Sequence, residues 1–240
     1  MASEHIVRAY DEQLKRLKAE ISEMGGLVEV QLGQAIQAVS ARDGELGQRC
    51  VSSDVRVDNL EHKIDDSVVK MLALRQPMAS DLRTILSALK IAADLERIGD
   101  YAANVGKRVQ ALIQFPPVPS VNGVVRLGQL ARLVVKDVLD AFASSDTARA
   151  IQVWQRDEEV DAMYTSLFRE LLTYMMEDPR NITPCTHLLF IAKNLERIGD
   201  HATNIAEVIH FQVVGRTIAE ARPKGDETSF AVVGNDARRT

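Results

Sequence analysis

The sequence has few of the residues that build covalent frameworks or interrupt helices. Cys50 and Cys185 are its two cysteines, and they have neither a CxxC spacing nor a histidine at zinc-finger distance. This pattern argues against a structural zinc site and against a disulfide framework. Aromatic residues make up 5% of the 240 residues, and the 13 glycines and 7 prolines are sparse and clustered. Such a composition favours helices over a sandwich of short strands.

Charge and hydropathy argue against two further classes of protein. The formal net charge is −5 at pH 7, which disfavours nucleic-acid binding because that function relies on a basic surface. No apolar run reaches the roughly 18 residues that a membrane-spanning helix needs. The polar N-terminal residues, among them Glu4, Arg8 and Asp11, do not resemble a signal peptide. We therefore expect a cytoplasmic, soluble protein with no direct membrane insertion and no nucleic-acid partner.

A six-residue stretch that occurs twice dominates what the sequence does contain. The hexamer Leu-Glu-Arg-Ile-Gly-Asp occupies residues 95–100 and again residues 195–200, and an identical hexamer at a fixed offset marks an internal repeat. Each copy places a glutamate four residues before an aspartate, so its two carboxylates share one face of a helix. The two pairs are Glu96 with Asp100 and Glu196 with Asp200.

Apolar periodicity predicts three long helices in each half of the chain. The predicted helices cover about 4–42, 45–75, 78–113, 122–143, 147–178 and 184–213, the last with Thr183 as its cap and Pro184 at its first position. A proline-rich stretch at 115–120 separates the halves, because it can be neither helix nor central strand. We predict an all-α fold of two tandem three-helix bundles related by internal pseudo-symmetry. The predicted boundaries are 1–115 for the first repeat, 116–121 for the linker, 122–215 for the second repeat and 216–240 for a flexible, loosely attached tail.

The acids of each hexamer border the apolar side of their helix. The predicted core positions of the third helix are Ile91, Leu95, Ile98, Ala102 and Val105, and the predicted solvent positions are Lys90, Asp94, Arg97, Tyr101 and Arg108. Glu96 belongs to neither set and has small neighbours such as Gly99 and Ala103. Because a carboxylate that leaves water needs a partner, a bound cation would hold the pair ionised.

A second line of acids on the preceding helix of each half strengthens the metal hypothesis. These acids are Asp54 and Asp58 in the first half and Asp157 and Asp161 in the second. Facing helices that each offer two carboxylates supply the four or more oxygen ligands that a hard cation requires. The sequence therefore predicts a metal site in each half for a divalent or iron-type ion: Mg, Mn, Fe or Zn.

Two alternatives remain open from the residues alone. The acids could form a solvated face, with Arg97 and Arg197 as ion-pair partners, on a plain helical interaction module without metal. The chain could also be a carboxylate-bridged, metal-dependent enzyme of the di-iron kind. Such bundles use two Glu-x-x-His motifs, and here the one match is Glu207 with His210.

The doubled hexamer and its surroundings resemble the PhoU family, the phosphate-specific transport system accessory proteins of bacteria. The Glu-x-x-x-Asp core of the hexamer is the signature of that family. Further agreement lies in His5 with the later Met-Gly at 24–25, and in the run Asp-Leu-Arg at 81–83. The resemblance covers about residues 3–215. It departs upstream of the second hexamer, where Pro-Cys-Thr at 184–186 stands near the place of Asp-Leu-Arg.

The resemblance implies an all-helical protein that binds metal ions through its Glu-x-x-x-Asp carboxylates and forms homodimers. It also implies a non-catalytic role as a cytoplasmic negative regulator of phosphate uptake and of the phosphate-starvation response. The implied partners are the ATPase subunit of the phosphate ABC transporter and the phosphate sensor histidine kinase. By resemblance, the first metal ligands are Glu96, Asp100, Glu196 and Asp200, with Asp54, Asp58, Asp157 and Asp161 as further contributors.

Overall fold

The computed structural model describes residues 2–75, 77–226 and 228, and in this part of the chain the regular structure is helical without β-strands. The helices are α1 (Ala2–Ala41), α2 (Gly44–Arg75), α3 (Ser80–Leu112), α4 (Val121–Ser144), α5 (Thr147–Gln155), α6 (Asp157–Glu177) and α7 (Ile182–Val214), with a 3-10 turn at Pro179–Asn181. The all-α prediction is confirmed. No helix in the described ranges is both long enough and apolar enough to cross a bilayer.

The helices pack as two bundles that share one core. Helices α1, α2 and α3 pack on one another, and α4 with α5 and α6 packs around α7. The two hexamer-bearing helices, α3 and α7, make the most extensive contact between the halves, and α1 packs on α4. The buried apolar residues of both halves consequently form one continuous cluster. The predicted pair of three-helix bundles is confirmed, and the joint between them is made by the repeated helices themselves.

The contact between the halves changes the predicted solvent face of α3. The five predicted core residues of this helix are all buried. On the side predicted to face solvent, Lys90 and Arg97 are exposed, but Asp94 is half-buried against α7. Its Oδ1 lies 2.7 Å from Nδ1 of His201 and accepts from Asn204 Nδ2 at 3.3 Å. The prediction of a solvent face is wrong for Asp94 and also for Tyr101 and Arg108, which are half-buried against His201 and Phe190 of α7. The reason is that α3 must bury two sides when it packs both within its bundle and on α7.

The second half departs from its predicted helices at two places. The single helix predicted over 147–178 is interrupted at Arg156, whose backbone (φ −81°, ψ −2°) forms a turn between the end of α5 and the start of α6. The Arg156 guanidinium donates to Asp137 on α4 at 3.0 Å, which holds this corner against the bundle. The last helix begins at Ile182, ahead of the predicted cap at Thr183. Pro184 then lies in the first helical turn, where its missing N–H costs nothing.

Helices α2 and α3 approach each other closely at a pair of glycines. A Cβ atom built on Gly106 would lie 2.6 Å from the carbonyl oxygen of Gly47, and one built on Gly47 would lie 2.9 Å from the carbonyl oxygen of Gly106. Both contacts are to backbone, which cannot swing aside as a side chain can. This crossing brings the α2 acids close to the hexamer of α3.

Both cysteines are buried thiols in the core. Burial, followed by the nearby Asp54 charge, raises the pKa of Cys50 to about 12, and its Sγ lies 3.4 Å from the carbonyl oxygen of Ala102. Burial also raises the pKa of Cys185. A thiol held neutral and away from solvent is a poor nucleophile, so both cysteines serve packing.

The corner before α5 provides a test of local stability. Asp146 caps this helix, since its Oδ1 accepts from the backbone N of Ala148 at 3.0 Å and of Arg149 at 3.1 Å. Asp146→Ala should therefore lower the free energy of unfolding by about 1 kcal/mol, measured by urea titration. Ser144→Ala, which removes only a local bond to the Asp140 carbonyl oxygen, should stay within about 0.5 kcal/mol of wild type. Equal losses in the two variants would contradict the capping role.

Candidate functional site

Each half of the molecule brings the hexamer acids beside the acids of the preceding helix. We define the first acidic face as Glu96 and Asp100 on α3 with Asp54 and Asp58 on α2. We define the second acidic face as Glu196 and Asp200 on α7 with Asp157 and Asp161 on α6. In the first face, Asp54 Oδ1 lies 3.3 Å from the position that a Gly99 Cβ would take. The predicted juxtaposition of the two helices thus holds in the structure.

The Asp54 end of the first acidic face contains a buried amide that the sequence analysis missed. Gln31 of α1 is 1% exposed, and its Nε2 donates to Asp54 Oδ1 at 2.9 Å. Its Oε1 is buried and has no hydrogen-bond partner among the described residues. Burial, together with the charges of Asp58 and Asp100, raises the pKa of Asp54, while the Gln31 bond opposes this effect. The sequence signal for this position is a glutamine three residues after Val28, within the apolar heptad seam of α1 formed by Leu17, Ile21, Met24 and Val28.

Glu96 is the most strongly perturbed acid of the first acidic face. Burial raises its pKa to about 7, and repulsion from Asp100 adds to the rise. The Arg97 guanidinium lies 3.5 Å from Glu96 Oε2 and 3.5 Å from Asp100 Oδ2. Its positive charge lowers the Glu96 pKa and so opposes the rise. The alternative in which arginine neutralises the hexamer acids is thus only partly realised in the first half. Glu61 of α2 contributes further repulsion, and its own pKa is raised by burial and by Asp65.

The first acidic face matches a hard cation in donor type. Its carboxylates and the partnerless Gln31 oxygen are hard oxygen donors of the kind that Mg²⁺ and Mn²⁺ bind. Among the described residues, however, no three histidine, cysteine or acidic side chains converge closely enough to hold a metal ion. Metal binding at Glu96, Asp100, Asp54 and Asp58 therefore stays a prediction that requires side-chain rotation.

Glu196 of the second acidic face has a direct cationic neighbour. It is 4% exposed, and Lys193 Nζ donates to its Oε1 at 2.7 Å. Burial nevertheless raises the Glu196 pKa to about 7, because desolvation and repulsion from Asp200 and Asp161 outweigh the Lys193 attraction. Its Oε2 is buried without a partner in the described part of the chain. The first half has Ala93 in the place of Lys193.

The remaining acids of the second acidic face bind residues of the segment that follows α7. Arg222 donates to both Asp157 and Asp200, and Asp161 accepts from the backbone N of Gly225 and Asp226. The sequence predicts a loosely attached tail from residue 216, whereas residues 216–226 lie folded against the second bundle. Residues 227 and 229–240 of that tail lie outside the described residues. With Arg222 in place, the second acidic face does not fit a metal ion.

Other predicted residues have structural partners. Arg197 lies with its guanidinium carbon 5.6 Å from the centre of the Tyr101 ring, in the joint between the halves. Glu207 Oε1 accepts from Trp154 Nε1 at 3.0 Å. His210 Nδ1 lies 3.1 Å from the Arg216 carbonyl oxygen. The Glu-x-x-His pair that motivated the di-iron alternative is thus used to attach α5 and the segment after α7.

Comparison with known proteins matches the same two halves. The model of the PhoU domain matches residues 21–109 and 124–209. A Caulobacter vibrioides protein named phosphate-specific transport system accessory protein PhoU homolog is 53% identical over 228 residues, covering 95% of this chain and 99% of that protein. A Rhizobium meliloti protein of the same name is 52% identical over 230 residues, covering 95% of this chain and 97% of that protein.

Solved structures agree with these sequence matches. The crystal structure of PhoU from Pseudomonas aeruginosa is similar with a TM-score of 0.84 and 41% identity, covering 86% of this chain and 100% of that chain. The phosphate transport system regulatory protein PhoU from Streptococcus pneumoniae is similar with a TM-score of 0.81 and 29% identity, covering 87% and 99%. Family model, relatives and structures agree along both halves, and the chain belongs to the PhoU family.

Proposed function

We propose that this protein is a regulator of phosphate uptake, and that it represses the phosphate-starvation response when phosphate is abundant. Its relatives at 53% and 52% identity, matched over nearly their whole length, are named as accessory proteins of the phosphate-specific transport system. This similarity is the observation that supports the proposal. The role is regulatory and not catalytic, as the word accessory in those names suggests.

The proposed mechanism is contact between proteins in the cytoplasm. Helical surfaces of a homodimer dock on the ATPase subunit of the phosphate ABC transporter and on the phosphate sensor histidine kinase. Two bundles joined along α3 and α7 suit this role, because the packed joint between them offers a path by which a contact on one bundle would affect the other.

The first acidic face gives this mechanism a cation-dependent element. Glu96, Asp100, Asp54 and Asp58 would hold a Mg²⁺ or Mn²⁺ ion, with the buried Gln31 oxygen beside them. Such an ion supplies positive charge that offsets the mutual repulsion of the acids. The chain's own part is to hold these acids close together on two packed helices, where burial and mutual repulsion raise the pKa of Glu96 and of Asp54.

Deleting the gene and assaying a phosphate-regulated reporter in phosphate-rich medium tests the proposal. We expect the reporter to be expressed constitutively in the deletion strain and to be repressed again by the wild-type gene on a plasmid. Affinity purification from phosphate-replete cells should recover the transporter ATPase subunit. A reporter that stays repressed after deletion would contradict the regulatory role.

A further inference from the structure

A basic side chain from the C-terminal segment occupies the centre of the second acidic face. Arg222 Nε donates to Asp157 Oδ2 at 2.7 Å, and its Nη2 donates to Asp157 Oδ1 and to Asp200 Oδ1, each at 2.8 Å. The same Nη2 lies 3.1 Å from the Asp200 carbonyl oxygen, and Nη1 donates to Asn204 Oδ1 at 3.0 Å. One guanidinium thus binds an acid of α6 and an acid of α7. It uses the fork geometry that makes arginine–carboxylate pairs strong.

The backbone after Arg222 continues along the same face. The backbone N of Gly225 donates to Asp161 Oδ2 at 2.8 Å, and that of Asp226 donates to the same oxygen at 3.2 Å. Lys193 Nζ joins Asp226 Oδ2 at 3.0 Å to Glu196 Oε1 at 2.7 Å. Asp157, Asp200 and Asp161 therefore accept hydrogen bonds from this segment. Glu196 accepts one from Lys193, which also binds Asp226 of the segment.

The segment is built to fit closely. A Cβ on Gly225 would lie 3.3 Å from the Asp161 Cβ and 3.5 Å from the Glu158 carbonyl oxygen, so the backbone lies directly on α6. Asp157 is 2% exposed as a residue, and the side chain of Arg222 is 17% exposed. Thr203 Oγ1 completes the shell of Asp157 with a hydrogen bond of 3.1 Å.

The first acidic face differs at each of these points. Among the described residues, Asp54 and Asp58 take part in no ion pair, and Arg97 lies no closer than 3.5 Å to Glu96 or Asp100. Ala103 stands where the second half has Thr203. The match to the PhoU domain model ends at residue 209, before the segment that carries Arg222, although the relatives at 53% and 52% identity align over 95% of this chain. The two faces share their acids but not their neutralising groups.

We propose that Arg222 is the resident cation of the second acidic face, where the C-terminal segment closes this face to metal ions while the first acidic face stays open to them. Protein copies with the segment bound and with the segment released then present different surfaces on the second bundle. Release uncovers the carboxylates of Asp157, Asp161 and Asp200, leaves Lys193 of α7 on Glu196, and frees the segment itself for contact. This inference is independent of the proposed role in phosphate uptake, since it concerns the isolated chain.

Limited digestion with trypsin measures whether Arg222 holds the segment. The bond to watch is Lys224–Gly225, because the Gly225 N–H is hydrogen-bonded to Asp161 while the segment is bound. In Arg222→Gln, cleavage there, followed by mass spectrometry, should be roughly tenfold faster than in wild type. Arg222→Lys, which keeps the charge without the fork, should be intermediate. The matched control is Arg216→Gln, an exposed arginine of the same segment, and it should cleave at Lys224–Gly225 as slowly as wild type.

Equilibrium dialysis with Mn²⁺ on the same full-length proteins measures whether the face is closed. Arg222→Gln should bind about one more Mn²⁺ ion per chain than wild type or Arg216→Gln. Circular dichroism should show the same helix content in all variants, since Arg222 lies outside the seven helices. Equal cleavage rates in wild type and Arg222→Gln would overturn the proposal. So would faster cleavage without extra Mn²⁺ binding, because the arginine would then hold the segment without excluding a metal ion.

Discussion

Gly106→Ala is expected to destabilise the protein by about 2–3 kcal/mol, although alanine is the better helix former. The added methyl would lie 2.6 Å from the Gly47 carbonyl oxygen and 3.3 Å from the Cys50 Cβ. Since the nearer atom belongs to backbone, α2 and α3 would have to separate or tilt. Urea unfolding followed by far-ultraviolet circular dichroism measures this loss.

Gly26→Ala is the matched control for that substitution. Gly26 lies in the middle of α1, and a Cβ built there has nothing within 4 Å. The same chemical change should therefore stabilise the protein by about 0.5–1 kcal/mol, through helix propensity alone. Opposite signs at the two positions would support the glycine crossing. A Gly106→Ala protein as stable as wild type would contradict it.

Glu96→Gln is expected to stabilise the metal-free protein by about 1–2 kcal/mol at pH 8. The ordinary pKa of a glutamate is 4.5, and that of Glu96 is raised to about 7 in the folded chain. Folded protein therefore holds this proton more tightly than unfolded protein does, and wild type loses stability as the pH rises from about 4.5 to about 7. Converting the full pKa shift into free energy would overstate the stabilisation, because 20% of the Glu96 side chain remains exposed to water.

Urea titrations in a chelator at pH 4 and pH 8 check this prediction. Wild type and Glu96→Gln should differ in free energy of unfolding at pH 8 and agree near pH 4. At that lower pH, Glu96 is mostly protonated in the folded and in the unfolded wild-type chain. Glu45→Gln is the control, because its side chain is 93% exposed and should change stability by less than about 0.5 kcal/mol. Adding Mn²⁺ at pH 8 should stabilise wild type more than Glu96→Gln, because a ligand stabilises the state that binds it. If Glu96→Gln were no more stable than wild type at pH 8, the claim that the buried charge of Glu96 destabilises the folded chain would be contradicted.

The sequence predicts the helices and the placement of the acids well, because both follow from local spacing. The seam of α1, with Leu17, Ile21, Met24 and Val28, is buried as its heptad pattern indicates. The four-residue step between glutamate and aspartate is likewise a property of one helix, and it needs no knowledge of the fold. Repetition of the hexamer then locates both candidate sites.

The spacing of residues along the sequence could not predict contacts between residues that are far apart in the chain. Asp94 pairs with His201 across the joint between the halves, and Arg222 reaches Asp157 from 65 positions away. Nothing in the period of a helix indicates which second element will cover its polar side. The segment around Arg222 also has the polar, proline- and glycine-containing composition of a solvated tail. Its attachment comes from carboxylates that the bundle presents, not from any apolar pattern of its own.

The buried thiols have a practical consequence for studying this protein in solution. Native Cys50 and Cys185 should stay unmodified by maleimide dyes, because the reaction needs an exposed thiolate and burial raises the pKa of each thiol. A cysteine engineered at an exposed position would then be labelled selectively without replacing either native residue. Distances between two such dyes, one on each bundle, could be followed by energy transfer in the otherwise unaltered chain.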